Sequence, residues 1–331
     1  MQELIAWLSG IDGYAGVEPV PASADASFRR YFRVAAGGSS RIVMDAPPAR
    51  EDSGPYVRIA AFLRDMGLHA PSVFAADLER GFLLLTDLGT TQYLQALRDD
   101  PGLADSLYAD ALRALATLQQ QGATVQGQLP PYSAALLQAE MELFREWLCQ
   151  RHLGLHFAAD DLERWRQTCD FLVENALQQH QVFVHRDYHS RNLMLTGRDN
   201  PGILDFQDAL EGPYTYDLVS LLKDCYISWP ASRVRGWAML FYEFLADDVK
   251  ALADAGLFMR QFELMGVQRQ LKAAGIFARL NYRDGKPSYM QDIPRTLGYI
   301  SEIAPRYPQL SFIAGLIRRH DPGRMPHGKP A

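Results

Sequence analysis

Three polar side chains of complementary chemistry lie in one short stretch of the sequence, Asp187, Asn192 and Asp205. The first ends the triplet His-Arg-Asp, the second follows after four residues, and the third precedes Phe206 at the end of an apolar run. A carboxylate can orient an alcohol by hydrogen bonding and accept its proton. An amide and a carboxylate are oxygen ligands for Mg²⁺, which keeps further positions for water and phosphate. The spacing therefore predicts Asp187 as a base for a hydroxyl group, and Asn192 and Asp205 as metal ligands.

Short strands must position these three residues. The apolar runs 182–184, 193–195 and 203–206 predict strands, and 197–202 predicts the turn between the last two. Strands joined in a hairpin would present the three polar groups to one point. Taken singly, Asp187 could form an Asx turn and Asn192 could end a strand. Their joint spacing favours a functional site instead.

The rest of the chain supplies a scaffold of two kinds. The first third alternates between strands and helix, with predicted strands at 27–34, 41–46 and 81–86, a helix at 54–66 and a connector at 87–89. Beyond it the helical period dominates, for example where Leu137, Met141, Phe144 and Leu148 step by four, three and four residues. We therefore predict an α+β fold with a small mixed lobe over 1–89 and a larger, mainly helical lobe over 90–331.

The composition excludes several classes of protein. The 331 residues include 33 basic and 39 acidic side chains, and the net charge of −6 argues against non-specific nucleic-acid binding. Three cysteines without a C-x-x-C pair predict neither a disulfide framework nor a zinc site. There is no apolar run of the roughly 20 residues that a membrane span needs, and no signal-peptide pattern at the start. We expect a cytoplasmic monomer or weak oligomer without nucleic-acid or membrane partners.

The motif around Asp187 resembles the catalytic loop of kinase-like enzymes, and Asp205-Phe206 resembles their metal-binding Asp-Phe-Gly, with Gln207 in place of glycine. The chain resembles the aminoglycoside phosphotransferase and choline kinase family over most of its length, and within it the bacterial anomeric amino-sugar kinases. The segments that carry this resemblance are 25–33, 44–48, 79–89, 204–224 and 265–289.

This resemblance implies a bilobal protein-kinase-like fold with ATP and Mg²⁺ as cofactors. It also implies phosphorylation of the C1 hydroxyl of N-acetylmuramate or N-acetylglucosamine, without ranking the two, in the recycling of cell-wall sugars.

The nucleotide half departs from the family pattern. The loop 23–27 contains no glycine, Met44 stands where the family has a strand lysine, and the following helix lacks the glutamate that pairs with it. Another cation must then meet the phosphates, for which we consider Arg30 and Arg33, although both could simply line an exposed strand. The hinge-like residues before Gly89 are expected to bind adenine through their backbone. The predicted nucleotide-binding residues are Ser27, Arg30, Arg33, Asp87 and Leu88.

The predicted acceptor-binding residues are Asp208, Arg191 and Arg269. Arg269 shares a helix face with Lys272, and these charges favour a neutral or anionic acceptor. An exposed helix face remains the alternative for Arg269, and a turn cap the alternative for Asp208. Asp217 is expected to cap a helix and to brace the catalytic loop.

Three other functions remain open at this point. The acceptor could be another small alcohol, such as choline, homoserine or an aminoglycoside. The missing strand lysine and the glycine-free loop would also suit a nucleotide-binding pseudokinase. A metal hydrolase could use His185, Asp187 and His189, because alternate residues of a strand share a face, but further ligands at recognisable spacing are lacking.

Overall fold

A computed structural model describes residues 1–24 and 28–320 of the chain. Its β-strands are β1 Val20–Ala24, β2 Arg30–Ala36, β3 Ser39–Asp45, β4 Val73–Asp77, β5 Phe82–Thr86, β6 Gln181–Val184, β7 Leu193–Met194, β8 Gly202–Ile203 and β9 Leu210–Pro213. Its α-helices are α1 Gln2–Ser9, α2 Gly54–Asp65, α3 Tyr93–Asp99, α4 Ala104–Gly122, α5 Ala134–Leu143, α6 Ala159–Leu177, α7 Tyr216–Leu222, α8 Ala231–Phe244, α9 Asp247–Leu252, α10 Ala255–Asp284, α11 Ile293–Ile303 and α12 Ser311–Arg319. A π-helical segment, Phe144–His152, continues α5.

The chain divides into two compact units. The first consists of Met1–Ala114 and Arg191–Ala209, and the second of Leu115–Ser190 and the chain from Leu210 onward. The predicted α+β class is confirmed, with a β-sheet in the N-terminal lobe and a helical C-terminal lobe. The lobe boundary after residue 89 stays a prediction.

The first unit is built on a five-stranded antiparallel sheet in the order β1-β2-β3-β5-β4. One face carries Phe32 and Val34 of β2 and packs against Leu4 and Leu8 of α1. The alternating sequence of β2 explains this burial, because successive strand residues point to opposite faces. The sequence predicted β2, β3 and β5 within a few residues, but it gave no indication of α1 or β4.

Gly81 allows the end of β3 to meet the start of β5. Its φ is +76°, and its carbonyl accepts a 2.9 Å hydrogen bond from the amide of Ala46. A Cβ at position 81 would lie 1.8 Å from the carbonyl oxygen of Ala46, so no other residue type fits this backbone.

The strands β7 and β8 form a small antiparallel hairpin, with Leu193 opposite Ile203. Backbone hydrogen bonds from Leu195 to Thr91 (2.8 Å) and from Ile203 to His69 (2.8 Å) fasten the hairpin to the first unit. Its position is therefore fixed by bonds to residues more than 100 positions earlier in the chain, which no local pattern could reveal.

The second unit is organised around α10, whose 30 residues pack against α5, α6, α7 and α11. The predicted apolar stripe from Leu137 to Leu148 is buried. Gly275 of α10 lies against the start of the π-helical segment, where an added Cβ would come within 2.3 Å of the carbonyl carbon of Leu143. A larger residue would therefore separate these elements.

Candidate active site

The two predicted metal ligands meet in the first unit. Asn192 precedes β7 and Asp205 follows β8, and the amide of Leu204 donates a 2.9 Å hydrogen bond to the carbonyl of Asn192. This pairing brings the side chains together, with Asn192 Nδ2 3.2 Å from Asp205 Oδ2. The hairpin predicted from the sequence thus places both residues at one point.

Asp205 occupies a conformation that is uncommon for a residue with a side chain. Its φ is +62°, in the left-handed region, two residues beyond the end of the two-residue strand β8. The strand predicted over 203–206 is therefore too long. Gln207 donates a 2.9 Å hydrogen bond to Asp205 Oδ1, and Arg29 Nη1 lies 3.8 Å from the same oxygen.

The donor chemistry at this point fits a hard divalent cation. The Asp205 side chain is 35% exposed, so its carboxylate is accessible, and Asn192 adds an amide beside it. Over residues 1–24 and 28–320, no group of three or more His, Cys, Asp or Glu is suited to hold a metal ion. A two-residue set nevertheless suits Mg²⁺, which commonly completes its shell with water and phosphate oxygens.

Asp187 lies in the second unit, in the loop after β6. It is half-buried, and its amide donates to His185 Nδ1 at 3.2 Å, so this histidine braces the loop. Burial alone would raise the pKa of Asp187, but the positive charges of Lys272, His189 and Arg269 lower it from its usual value of 3.8. Asp187 is therefore a carboxylate at neutral pH.

Two buried aspartates hold the loop from the side of α7. Asp217 accepts hydrogen bonds from the amides of His185 (2.6 Å) and Arg186 (3.0 Å), and Asp224 accepts from the amide of Ser190 at 3.0 Å. The predicted bracing by Asp217 is confirmed, but the predicted helix cap is wrong, because this side chain bonds to the loop rather than to its own helix. Burial raises the pKa of Asp217 to about 7, against the effect of these two hydrogen bonds.

Glu140 is a central residue that the sequence analysis missed. It is buried in α5 and accepts hydrogen bonds from Tyr132, from Arg186 of the His-Arg-Asp triplet (2.6 Å) and from Lys272 (2.9 Å). These cations lower its pKa, although burial alone would raise it. The available signal was a carboxylate on an otherwise apolar helix face, three residues after Leu137 and four before Phe144.

Arg269 is buried in α10, with 5% of its surface exposed. Its Nη1 lies 3.5 Å from Cys225 Sγ, and its Nε has no hydrogen-bond partner among the described residues. An exposed helix face, the alternative considered for this residue, is wrong. Its charge acts on Asp187, as described above, which leaves a role in acceptor binding as a prediction.

The predicted phosphate-binding arginines both have carboxylate partners. Arg33 donates to Asp87 at 2.6 and 3.1 Å, and Arg30 pairs with the buried Asp45 directly across from it on β3. Burial alone would raise the pKa of Asp87, but the hydrogen bonds from Arg33 and Ser40 lower it.

Other predicted binding residues are placed as follows. Leu88 is buried beside Asp87 in the hinge-like connector. Arg191 is half-buried at the start of the hairpin segment, and Asp208 is exposed three residues after Asp205. Ser27 lies outside the described residues. The roles of all these residues stay predictions.

The chain is similar to known phosphotransferases over nearly its whole length. Residues 18–252 match the phosphotransferase enzyme family. A Pseudomonas aeruginosa protein named N-acetylmuramate/N-acetylglucosamine kinase is 46% identical over 334 residues, covering 96% of this chain and 95% of the relative. A Neisseria meningitidis protein of the same name is 42% identical over 322 residues, covering 94% and 93%.

Solved structures of low sequence identity share the fold. A choline kinase from Cryptosporidium parvum, 10% identical, gives a TM-score of 0.63 over 92% of this chain and 96% of that chain. An ADP-bound aminoglycoside phosphotransferase, 14% identical, gives 0.57 over 90% and 97%.

The fold and the family match define a kinase-fold phosphotransferase, as the sequence predicted. The chain belongs to the phosphotransferase enzyme family. Membership in this family leaves the metal-hydrolase hypothesis without support. Among the described residues, no helix is both long enough and apolar enough to cross a membrane.

Proposed function

We propose that this enzyme transfers the terminal phosphoryl group of ATP to the anomeric C1 hydroxyl of N-acetylmuramate and N-acetylglucosamine. The names of relatives that are 42% to 46% identical support the two sugars. We place the reaction in the cytoplasm, in the recycling of cell-wall sugars, and expect a monomer or weak oligomer.

The positive charge around Asp187 is the observation that supports the chemical class of the acceptor. Lys272 and Arg269, both in α10, act electrostatically on this carboxylate. A quaternary ammonium acceptor such as choline would be repelled by these cations, whereas a neutral sugar or one with a carboxylate would not. We therefore prefer an N-acetylated sugar to the cationic acceptors choline and aminoglycosides, and the names of the relatives favour it over homoserine.

We assign Asp187 as the residue that orients the C1 hydroxyl and accepts its proton, because it is ionised and its loop is held by Asp217 and Asp224. Asp205 and Asn192 would hold Mg²⁺, which supplies charge neutralisation at the transferred phosphate. We assign Arg191, Asp208 and Arg269 to acceptor binding, and the backbone near Asp87 and Leu88 to adenine. Positioning and electrostatics supply most of the rate, since phosphoryl-transfer transition states are commonly loose.

The test is a phosphorus NMR spectrum of the product made from ATP and N-acetylmuramate. The proposal expects a phosphomonoester signal coupled to the anomeric proton. The matched control is the methyl glycoside of N-acetylmuramate, which lacks only the free C1 hydroxyl and should not react. Phosphorylation of the methyl glycoside, or a strong preference for choline in competition, would overturn the proposal, and nucleotide binding without any transfer would indicate a pseudokinase.

A further inference from the structure

The phosphates of the nucleotide need a cation that the usual kinase position does not provide. Met44, which stands where the strand lysine is expected, is fully buried in β3. The helix α2 contains no glutamate to pair with such a lysine. Arg30 and Arg33, the candidates from the sequence, pair with Asp45 and Asp87 instead.

A different arginine lies against the predicted metal ligand. Arg29 directly precedes β2, and its side chain is only 9% exposed. Its Nη1 lies 3.8 Å from Asp205 Oδ1, and its Nη2 donates a 3.0 Å hydrogen bond to Glu51 Oε2. A buried guanidinium loses hydration, so its charge must be compensated by such partners.

Glu51 holds Arg29 from the segment that leads into α2. Its side chain is 17% exposed, and its other oxygen, Oε1, lies 3.4 Å from the backbone amide of Phe28. The carboxylate therefore contacts both the guanidinium of Arg29 and the backbone directly before it. The ion pair of Arg29 and Glu51 thus joins a residue just before β2 to one just before α2. The absent pair of lysine and glutamate would instead have come from the interiors of β3 and α2.

Two carboxylates, those of Glu51 and Asp205, lie within 4 Å of the Arg29 guanidinium. A bound divalent cation would be attracted to Asp205, and the guanidinium beside it would lie close to the phosphates that accompany this cation.

We propose that Arg29 is the residue that binds the phosphates of Mg²⁺–ATP, and that Glu51 is the positioning residue that orients it. The pair takes the place of the absent lysine and its glutamate partner. This inference rests on the proposed function for the identity of the nucleotide, but not for that of the acceptor.

The test measures binding without any acceptor, by calorimetry with Mg²⁺–AMP-PNP and separately with adenosine, which has no phosphates. Arg29→Ala should weaken AMP-PNP binding about 10- to 100-fold, the range expected for a lost charge-assisted hydrogen bond, and leave adenosine binding unchanged. Arg29→Lys, which keeps the charge, should restore part of the loss. Glu51→Gln should weaken AMP-PNP binding less than Arg29→Ala does, again without an effect on adenosine.

Arg80→Ala is the matched control, because Arg80 is an exposed arginine of the same unit that pairs with Asp77. It should bind both ligands as the wild type does. Wild-type AMP-PNP affinity in Arg29→Ala would overturn the inference. So would tighter binding, which would mean that Arg29 blocks Asp205, or an equal loss of adenosine binding, which would indicate a structural role. A chain that binds AMP-PNP through Arg29 yet does not phosphorylate N-acetylmuramate would contradict the proposed acceptor alone.

Discussion

At the scale of single residues, the second unit maintains an ionised carboxylate in a partly buried loop. Asp187 is half-buried, which would favour its neutral form, but Lys272, His189 and Arg269 supply opposing positive charge. The loop itself is held by Asp217, whose two hydrogen bonds to backbone amides fix the direction of the chain before Asp187. The charges that keep Asp187 ionised and the hydrogen bonds that hold its loop therefore come from different residues.

Replacing Asp187 by asparagine keeps the size of the side chain and removes the base. We expect kcat to fall on the order of 10²- to 10⁴-fold, the usual contribution of a general base. The measurement is steady-state turnover with N-acetylmuramate. The matched control is Asp99→Asn, an exposed aspartate on α3 that should retain full turnover. Unchanged turnover in a folded Asp187→Asn variant would remove the residue from catalysis.

The pH profile should report the charges around Asp187. Because its pKa lies below 3.8, kcat/KM should not fall with the protonation of Asp187 until the pH drops below about this value. Lys272→Met removes the largest of these positive influences, which should raise the pKa of Asp187 and move the acidic limb to higher pH.

Glu140→Gln is the control for this pH experiment. It removes the carboxylate that pairs with Lys272, and it leaves the positive charge of the lysine in place. The acidic limb should then stay where it is or move to lower pH. An upward shift of equal size in both variants would show that the limb belongs to another group.

At the scale of elements, α10 both scaffolds the second unit and supplies charge to its loop. Asp254 caps its start by accepting from the amide of Leu257, and Gly285 ends it in the left-handed conformation with φ of +64°. Between these ends, Gly275 lies against the junction of α5 and the π-helical segment. The same helix carries Arg269 and Lys272, so its packing determines where these charges lie.

Gly275→Ala tests this close approach. The new methyl group would meet backbone atoms at 2.3 to 2.6 Å, which cannot move aside as a side chain could. We expect the free energy of unfolding to fall by about 1–3 kcal/mol, the usual cost of overpacking. The control is Gly298→Ala in α11, where no atom of the described part of the chain lies within 4 Å of the added atom and helix propensity should stabilise the fold by about 0.5–1 kcal/mol. Denaturant unfolding measures both, and equal effects would contradict the role of Gly275.

At the scale of the whole molecule, the predicted residues are divided between the two units. Asn192 and Asp205 belong to the first unit, although their segment, Arg191–Ala209, interrupts the second unit in sequence. Asp187 belongs to the second. Ligand-dependent stability is therefore the appropriate global measurement, because it reports nucleotide and metal binding by the entire chain.

Binding of AMP-PNP should stabilise the folded chain in a Mg²⁺-dependent way. At a ligand concentration 100 times Kd, the expected gain is about 2.7 kcal/mol, seen as a rise in Tm by calorimetry. Chelation of Mg²⁺ with EDTA should remove most of this rise. In Asp205→Ala, AMP-PNP should raise Tm only as much as it does for the wild type in EDTA, whether or not Mg²⁺ is present. An Asp205→Ala chain that responds to Mg²⁺ like the wild type would exclude Asp205 as a ligand.

The sequence by itself determined the class of fold and the proximity of Asn192 to Asp205. Apolar periodicity depends on which face of an element is buried, so β2, β3, β5 and the helix face of Leu137 were readable locally. The hairpin could be predicted because its two strands and its turn are contiguous in the chain. The motif spacing carried the kinase resemblance, because those residues serve one local loop and one hairpin.

Only the tertiary structure decided which charges meet. Arg29, Glu51 and Asp205 are separated by 22 or more positions, and Glu140, Arg186 and Lys272 by 46 or more, so their pairing depends on how the elements pack. From the sequence, Arg30 and Arg33 were therefore candidates for phosphate binding. The ion pairs that they form with Asp45 and Asp87 became visible only in the tertiary structure. Long-range ion pairs leave no periodic signal, because a charged side chain has no preferred partner until the backbone has brought one within a few ångströms of it.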